Sequence, residues 1–150
     1  RVCELIQDAK DNGYEFLLGG DVDPTGTGYY VPISILDNPP EDARIVAEEQ
    51  FGPVMPLMKF SSEEEVIQRA NNTDYGLAGA VWTNDPDKGV EIAEQLETGT
   101  VWVNEFLHLN PLASFGGHKQ SGFGVEYGME GLKEFTYAQV ITVKREAAGA

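Results

Sequence analysis

Apolar side chains recur along this chain in two rhythms, one helical and one extended. In "RVCELIQDAKDNG" Val2, Leu5, Ile6 and Ala9 stand three and four residues apart, the spacing of an amphipathic helix, and Asn12-Gly13 supplies its stop. "YEFLL" reads as a strand closed by Gly19-Gly20, and "DVDPTGTG" as a turn-rich loop. "YYVPISIL" reads as a strand that Pro32 confines to an edge or an irregular ladder. Pro39-Pro40 in "DNPPED" excludes regular structure, and "VMPLMKF" after Pro53 is extended and apolar. "SSEEEVIQRANNT" sets Ser62 three residues before Glu65, a capping box, ahead of Val66, Ile67 and Ala70, so a helix is expected up to Asn71-Asn72. "GLAGAVWT" and "TVWVN" read as buried strands. Between them "DPDKGVEIAEQLETG" reads as a helix with Asp85 as N-cap, Pro86 in the first turn and Gly99 just past the end. The order strand, helix, strand, helix, strand predicts an α/β fold with an open, mostly parallel sheet flanked by helices.

The remainder follows neither rhythm. "EFLHLNPLASFGGHKQSGFGVEYG" is long and rich in glycine, and unpatterned loops of that length are functional or disordered. Phe106, Phe115, Phe123 and Tyr127 within it favour order. A short helix, "MEGLKEF", follows, and "YAQVITVK" ends the pattern with the β-branched run Val140 to Val143, a good strand. An apolar strand near a chain end calls for a partner edge.

Composition narrows the picture. The 150 residues suit a domain of ordinary size, and 41% hydrophobic residues suffice for a core. A net charge of -15 argues against a phosphate-backbone binder and against docking on anionic lipid. No apolar run approaches the roughly 20 residues of a membrane span. Cys3 is the one cysteine, so no disulfide framework exists, and a reducing compartment, the cytoplasm by default, is expected. The chain opens at Arg1 already inside a helical pattern, which is expected of a piece of a longer protein.

Little of the candidate chemistry is specific taken residue by residue. Ser, His and Asp are present, but their spacing carries no triad. His108 and His118 lack a second ligand at metal spacing, so no metal site is expected. Cys3 lies in a first helix turn, where the dipole favours a thiolate, but Glu4 adjoins it and no histidine is near, so it reads as a small apolar filler. "FGGHKQSGFG" has neither the phosphate-loop order nor the dinucleotide-turn order of glycines; its Gly116-Gly117, Gly122 and Gly124 fit a tight bend as well as a ligand-lining loop. "EEQFGPV" is the sharper feature. A carboxylate accepts hydrogen bonds from neighbouring hydroxyls, as ribose diols require, and an aromatic two residues on can lie against a flat heterocycle. Gly52-Pro53 fixes the chain direction just beyond, although a solvated acidic loop is the plainer reading.

Four segments, "EEQFGPVMPLMKF", "EEVIQRANNTDYGLAGAVWTND", "GTVWVNEF" and "FGGHKQSGFGVEYGMEGLKEFT", occur in an order and at spacings that resemble the C-terminal part of the catalytic domain of the NAD(P)-dependent aldehyde dehydrogenase superfamily, most strongly from Ile45 to Val143. The resemblance implies an enzyme that oxidises an aldehyde to a carboxylic acid through a cysteine thioester, with NAD or NADP as hydride acceptor. It implies that Glu49 binds the nicotinamide ribose hydroxyls and that Phe51 packs beside the nicotinamide. Gln50 stands where an aliphatic residue is frequent in the family. By spacing from Asn104, it implies that His108, Leu109 and Phe115 line the aldehyde entrance, with Leu109 favouring an aliphatic or mixed pocket. It places the catalytic cysteine and the general-base glutamate before Arg1, so Cys3 is not the nucleophile and the 150 residues alone are expected to be inactive. Residues 1–134 then belong to the catalytic domain, 135–145 form an oligomerisation strand that pairs with a neighbouring subunit, and 146–150 are a tail. A non-catalytic dimerising module and a semialdehyde or acyl-transferring enzyme are the alternative readings.

Overall fold

The computed structural model of the chain describes residues 1–23 and 25–144. They form two compact units, Arg1–Val66 and Ile67–Ala150, each considered by itself.

In the first unit, α1 (Val2–Asp11) turns Leu5, Ile6 and Ala9 inward. It stops where Asn12 Nδ2 donates to the Asp8 carbonyl and Gly13 takes φ +73°, a left-handed value that glycine adopts without steric cost. Beneath it lies a three-stranded sheet ordered β1 (Phe16–Leu18), β2 (Ser34–Asp37), β3 (Val54–Leu57). β1 runs antiparallel to β2, and β3 runs parallel to β2 with Ser34 opposite Val54 and Asp37 opposite Leu57. A single turn of helix, α2 (Arg44–Ala47), makes the crossover. Leu5, Ile6, Ala9, Leu36, Ala43, Ile45 and Val54 form the core. Burying each of the larger of these side chains stabilises the unit by about 1.5–3 kcal/mol.

The expected strand "YYVPISIL" forms only from Ser34, and Tyr29 and Tyr30 are exposed. Pro32 has no N–H for a ladder. Its carbonyl instead accepts from Ser34 Oγ, which in turn accepts from the Gly20 amide, so the one buried polar side chain of the core is satisfied.

α3 (Glu63–Asn71) contains the boundary between the units. Its capping box is half as expected. The Glu65 amide donates to Ser62 Oγ, but the Glu65 carboxylate accepts from the amide and hydroxyl of Ser61, one residue earlier.

In the second unit, β5 (Ala78–Val81) and β6 (Thr100–Val103) pair in parallel around α4 (Pro86–Ala93). Asp85 caps α4 by accepting from the Lys88 amide at 3.1 Å. Gly89 lets the helix close on β6, since a Cβ there would meet Val103 Cγ1 at 2.5 Å. The glycine-rich segment contributes short antiparallel ladders: β4 (Tyr75–Gly76) with β8 (His118–Lys119), and β7 (Phe115–Gly116) with β9 (Val125–Glu126). α5 (Gly128–Lys133) follows.

The α/β character is as predicted; a single open sheet is not found among the described residues. Four small sheets stand in its place, with strands of two to four residues. Parallel pairing occurs where a helical crossover separates two strands, and the three ladder segments of the glycine-rich stretch pair antiparallel. Nor is "GLAGAVWT" buried: Ala78 and Ala80 are exposed, and Trp82 is 69% exposed. A two-stranded sheet covered by one helix leaves its other face to solvent. Residues 137–144 make no ladder with the described residues, and Tyr137, Val140, Ile141 and Val143 are exposed. Arg145 and the tail 146–150 lie outside the described residues.

Candidate functional site

The two glutamates of "EEQFGPV" have different surroundings. Glu48 closes α2 and faces two guanidinium groups. Arg44 donates through Nε to Oε1 at 2.7 Å and through one terminal nitrogen to Oε2 at 3.3 Å, and Arg1 donates to Oε2. The Arg44 hydrogen bond, more than its charge, holds the Glu48 carboxyl below its ordinary range. Arg44 also reaches α1, donating to Glu4 at 2.8 Å and standing 3.6 Å from Asp8. The same guanidinium holds the Glu4 carboxyl low, and these carboxylates push the arginine higher still. Glu48 is therefore a structural carboxylate, tying the end of α2 to α1.

Glu49 is exposed and makes no hydrogen bond or ion pair with the described residues. The chain then alternates. Gln50 is half-buried and donates from Nε2 to the Val54 carbonyl, while Phe51 is 90% exposed. Glu49 and Phe51 thus both lie outside the core, with Gln50 tucked between them. Phe51 takes φ +47°, a left-handed value that costs a non-glycine residue about 1–3 kcal/mol. The bend is fixed on both sides, by the Glu48 anchor and by the Ser34 amide donating to the Pro53 carbonyl. Gly52 completes it, because a Cβ there would meet Val2 Cγ2 at 2.6 Å. The result is an unpaired, acceptor-only carboxylate two residues from a solvent-facing ring, on a braced turn. Those donor and acceptor types fit a vicinal diol attached to a flat ring.

The other three candidate residues belong to the second unit. The loop after β6 starts at Asn104, which takes φ +56°, donates its amide to the Val81 carbonyl and accepts the Thr83 amide on Oδ1 at 2.8 Å. Trp102, the buried hydrophobic residue of this unit among the described residues, donates from Nε1 to the His108 carbonyl at 2.9 Å. Its ring meets Phe106 edge-on at 5.7 Å. The backbone at His108 is therefore held from below. The imidazole is exposed, with Nδ1 3.3 Å from Glu105 Oε1. Leu109 is 41% exposed, and Phe115 is half-buried on β7 opposite Glu126.

Two of the four glycines of "FGGHKQSGFG" are tightly packed, while Gly122 and Gly124 take left-handed φ values of +113° and +84° in open surroundings. A Cβ on Gly117 would lie 2.8 Å from Ser121, and one on Gly116 2.6 Å from Val125 Cγ1. Ser121 Oγ accepts the Gly76 amide, and Lys119 Nζ donates to the carbonyls of Asn71 and Thr73. The contacts of Gly116 and Gly117 fit the tight bend, and the bend leaves Phe115 half-buried at its start. Cys3 is exposed on α1 rather than packed as filler, since Leu5, Ile6 and Ala9, with Val2 beside them, form the face that meets the core. Sequence reasoning missed Arg44. The signal was the i,i+4 spacing of Arg44 and Glu48 in "ARIVAEE".

Comparison with known proteins gives these residues a context. Residues 1–141 match the model of the aldehyde dehydrogenase family. The chain is 44% identical over 145 residues to aldehyde dehydrogenase 1A1 of Gallus gallus, covering 96% of this chain and 28% of that protein. It is equally similar, at 44% over 145 residues with the same coverage, to aldehyde dehydrogenase, cytosolic 1, of Macroscelides proboscideus. Among solved structures, the NAD+ complex of the aldehyde dehydrogenase from Bacillus cereus superposes with a TM-score of 0.84 at 42% identity, over 91% of this chain and 28% of that one. The chain thus spans about 28% of the length of these relatives. With a family match along nearly its whole length and this degree of identity, the chain belongs to the aldehyde dehydrogenase family.

Proposed function

We propose that these residues serve an enzyme oxidising an aldehyde to a carboxylic acid with NAD(P)+, and that they supply one edge of its nicotinamide site and part of its aldehyde entrance. The observation that carries this reading is the division of labour at Glu48-Glu49: one carboxylate is consumed by arginines, and the next is free beside an exposed aromatic ring. The Glu49 carboxylate accepts hydrogen bonds from the two hydroxyls of the nicotinamide ribose. A charged acceptor makes these the stronger kind of hydrogen bond. Phe51 lies against the nicotinamide and keeps water from that side. The cofactor, when bound, supplies the hydride acceptor. His108, Leu109 and Phe115 line the path of the aldehyde, and Leu109 favours an aliphatic substrate portion.

The attacking thiolate and the general base belong to another part of the same enzyme. Cys3 is not that nucleophile, because it sits in α1 with no histidine beside it in sequence. The exposed apolar stretch 137–144 serves as a strand added to a neighbouring copy, which would supply the ladder partners it lacks here. A single cysteine and the cytosolic naming of one relative fit action in the cytoplasm. A non-catalytic dimerising role draws on the same stretch, and an assay separates the readings. The complete enzyme carrying these residues is expected to reduce NAD(P)+ in the presence of an aliphatic aldehyde, and the 150 residues alone are expected not to. Glu49→Gln is expected to weaken NAD(P)H binding by about tenfold, the loss of a charge-assisted hydrogen bond. Unchanged binding in that variant would remove Glu49 from the site.

A further inference from the structure

Arg44 is the most heavily committed side chain of the first unit. Its guanidinium meets Glu4 and Asp8 on α1 and both oxygens of Glu48 at the end of α2. The guanidinium of Arg1 donates to Oε2 of the same Glu48 carboxylate. Two consequences follow from the placement of this cluster one residue before Glu49. The first is geometric. With Glu48 clamped, the peptide leading into Glu49 is fixed, and the Gln50 to Val54 and Ser34 to Pro53 bonds fix the peptide leading out. Glu49 is then held by its neighbours while its own carboxylate stays free. The second is electrostatic. Glu48 and Glu49 are adjacent acceptors of the same kind, either of which could take a hydroxyl pair. Arg44 fills the lone pairs of Glu48 and leaves Glu49 as the acceptor presented to solvent.

We infer that Arg44 is a positioning residue for cofactor binding: by clamping Glu48 to α1, it orients Glu49 and keeps the neighbouring carboxylate from competing for the ribose hydroxyls. The inference rests on the reading of Glu49 as the ribose ligand. Arg44 does not touch the cofactor. Its whole effect on binding passes through Glu49, which sets it apart from a staple between two helices.

The test is a double-mutant cycle in the complete enzyme, read as the dissociation constant for NAD(P)H by fluorescence titration, with the melting temperature followed in parallel. Arg44→Met is expected to weaken NAD(P)H severalfold, approaching the effect of Glu49→Gln, and Arg44→Lys is expected to recover part of the loss. In the Glu49→Gln background, Arg44→Met is expected to add nothing, because a residue that acts through Glu49 is non-additive with it. If Arg44→Met yields too little folded protein, Glu48→Gln breaks the same ion pair while keeping the side-chain shape, and reads the same quantity. A weakening by Arg44→Met that multiplies with that of Glu49→Gln, or one absent from both Arg44→Met and Glu48→Gln while Glu49→Gln shows its own, overturns the inference and leaves the ribose reading standing. No effect of Glu49→Gln itself overturns the ribose reading, and the inference with it.

Discussion

At the scale of single residues, the arginine cluster sets how the first unit responds to acid. Glu4 and Glu48 are both held below the ordinary 4.5 of a glutamate, in each case first by a hydrogen bond from Arg44. A depressed carboxyl binds its proton later in the folded chain than in the unfolded one. Its contribution is therefore complete above the unfolded value and is lost as pH falls through the lowered folded values. The melting temperature of the wild-type chain is expected to exceed that of Arg44→Met at about pH 6, with the gap closing toward about pH 3 as the carboxylates protonate. A gap that stays constant across that range would show that Arg44 acts by packing alone. This is also the scale at which the sequence was least explicit. "EEQFGPV" shows an acidic pair before a rigid turn but does not say which carboxylate is spoken for. Arg44 four residues before Glu48 is the local hint, but the anchoring of its guanidinium on Glu4 and Asp8, far earlier in the chain, is visible only in space. The left-handed backbone of Phe51 was equally invisible, since nothing in the residue type asks for it.

At the scale of elements, what is legible follows local chemistry. The α1 stop at Asn12-Gly13 and the Asp85 cap of α4 are read from residues within a turn of each other, and the parallel pair around α4 from the strand, helix, strand order. Most of what fails depends on distant partners. One miss is local: the capping box of α3 keeps its Ser62 half, while the Glu65 carboxylate accepts from the amide and hydroxyl of the adjacent Ser61. The ladders of the glycine-rich segment join residues more than 40 positions apart in one case, Tyr75 with Lys119, and two-residue strands leave no periodic trace. Gly99 shows how close these crossings are. Its amide donates to the Gly76 carbonyl at 3.0 Å, and a Cβ at that position would collide with the Gly116 carbonyl oxygen, a backbone atom that cannot rotate away. Gly99→Ala is expected to destabilise the second unit by about 1–3 kcal/mol, the usual cost of overpacking. Chemical denaturation followed by tryptophan emission measures it, and an unchanged midpoint would mean that the β6 entry shifts freely.

At the scale of the whole molecule, apolar patterning and charge pull in opposite directions. β3 is apolar on both faces: Val54 enters the core, while Met55 and Leu57 are 51% and 46% exposed on the opposite face. A parallel ladder apolar on both sides is suited to cover on both sides. Residues 137–144 add a second apolar stretch without a ladder partner. Against these stands a net charge of -15, which drives copies apart at long range. Raising salt from about 0.01 M to about 1 M shortens the screening length from about 30 Å to about 3 Å. The 150-residue chain is therefore expected to sediment as larger species in high salt than in low salt. A mass that stays monomeric throughout would mean that the exposed apolar faces do not meet one another. The sequence displayed "VMPLMKF" as extended and apolar and Val140 to Val143 as a strand calling for a partner edge. What it could not display is that one apolar face of β3 stays uncovered by the described residues around it.

The bond from the Trp102 indole to the His108 carbonyl gives the molecule an optical gauge of its own. The two tryptophans sit in opposite media, Trp102 at 7% exposure and Trp82 at 69%. The shielded indole emits toward the blue and the wet one toward the red, so a single spectrum carries two separable colours. Because the blue one hangs from the loop that holds Leu109, a ligand that tugs on that loop changes the colour balance without any added label.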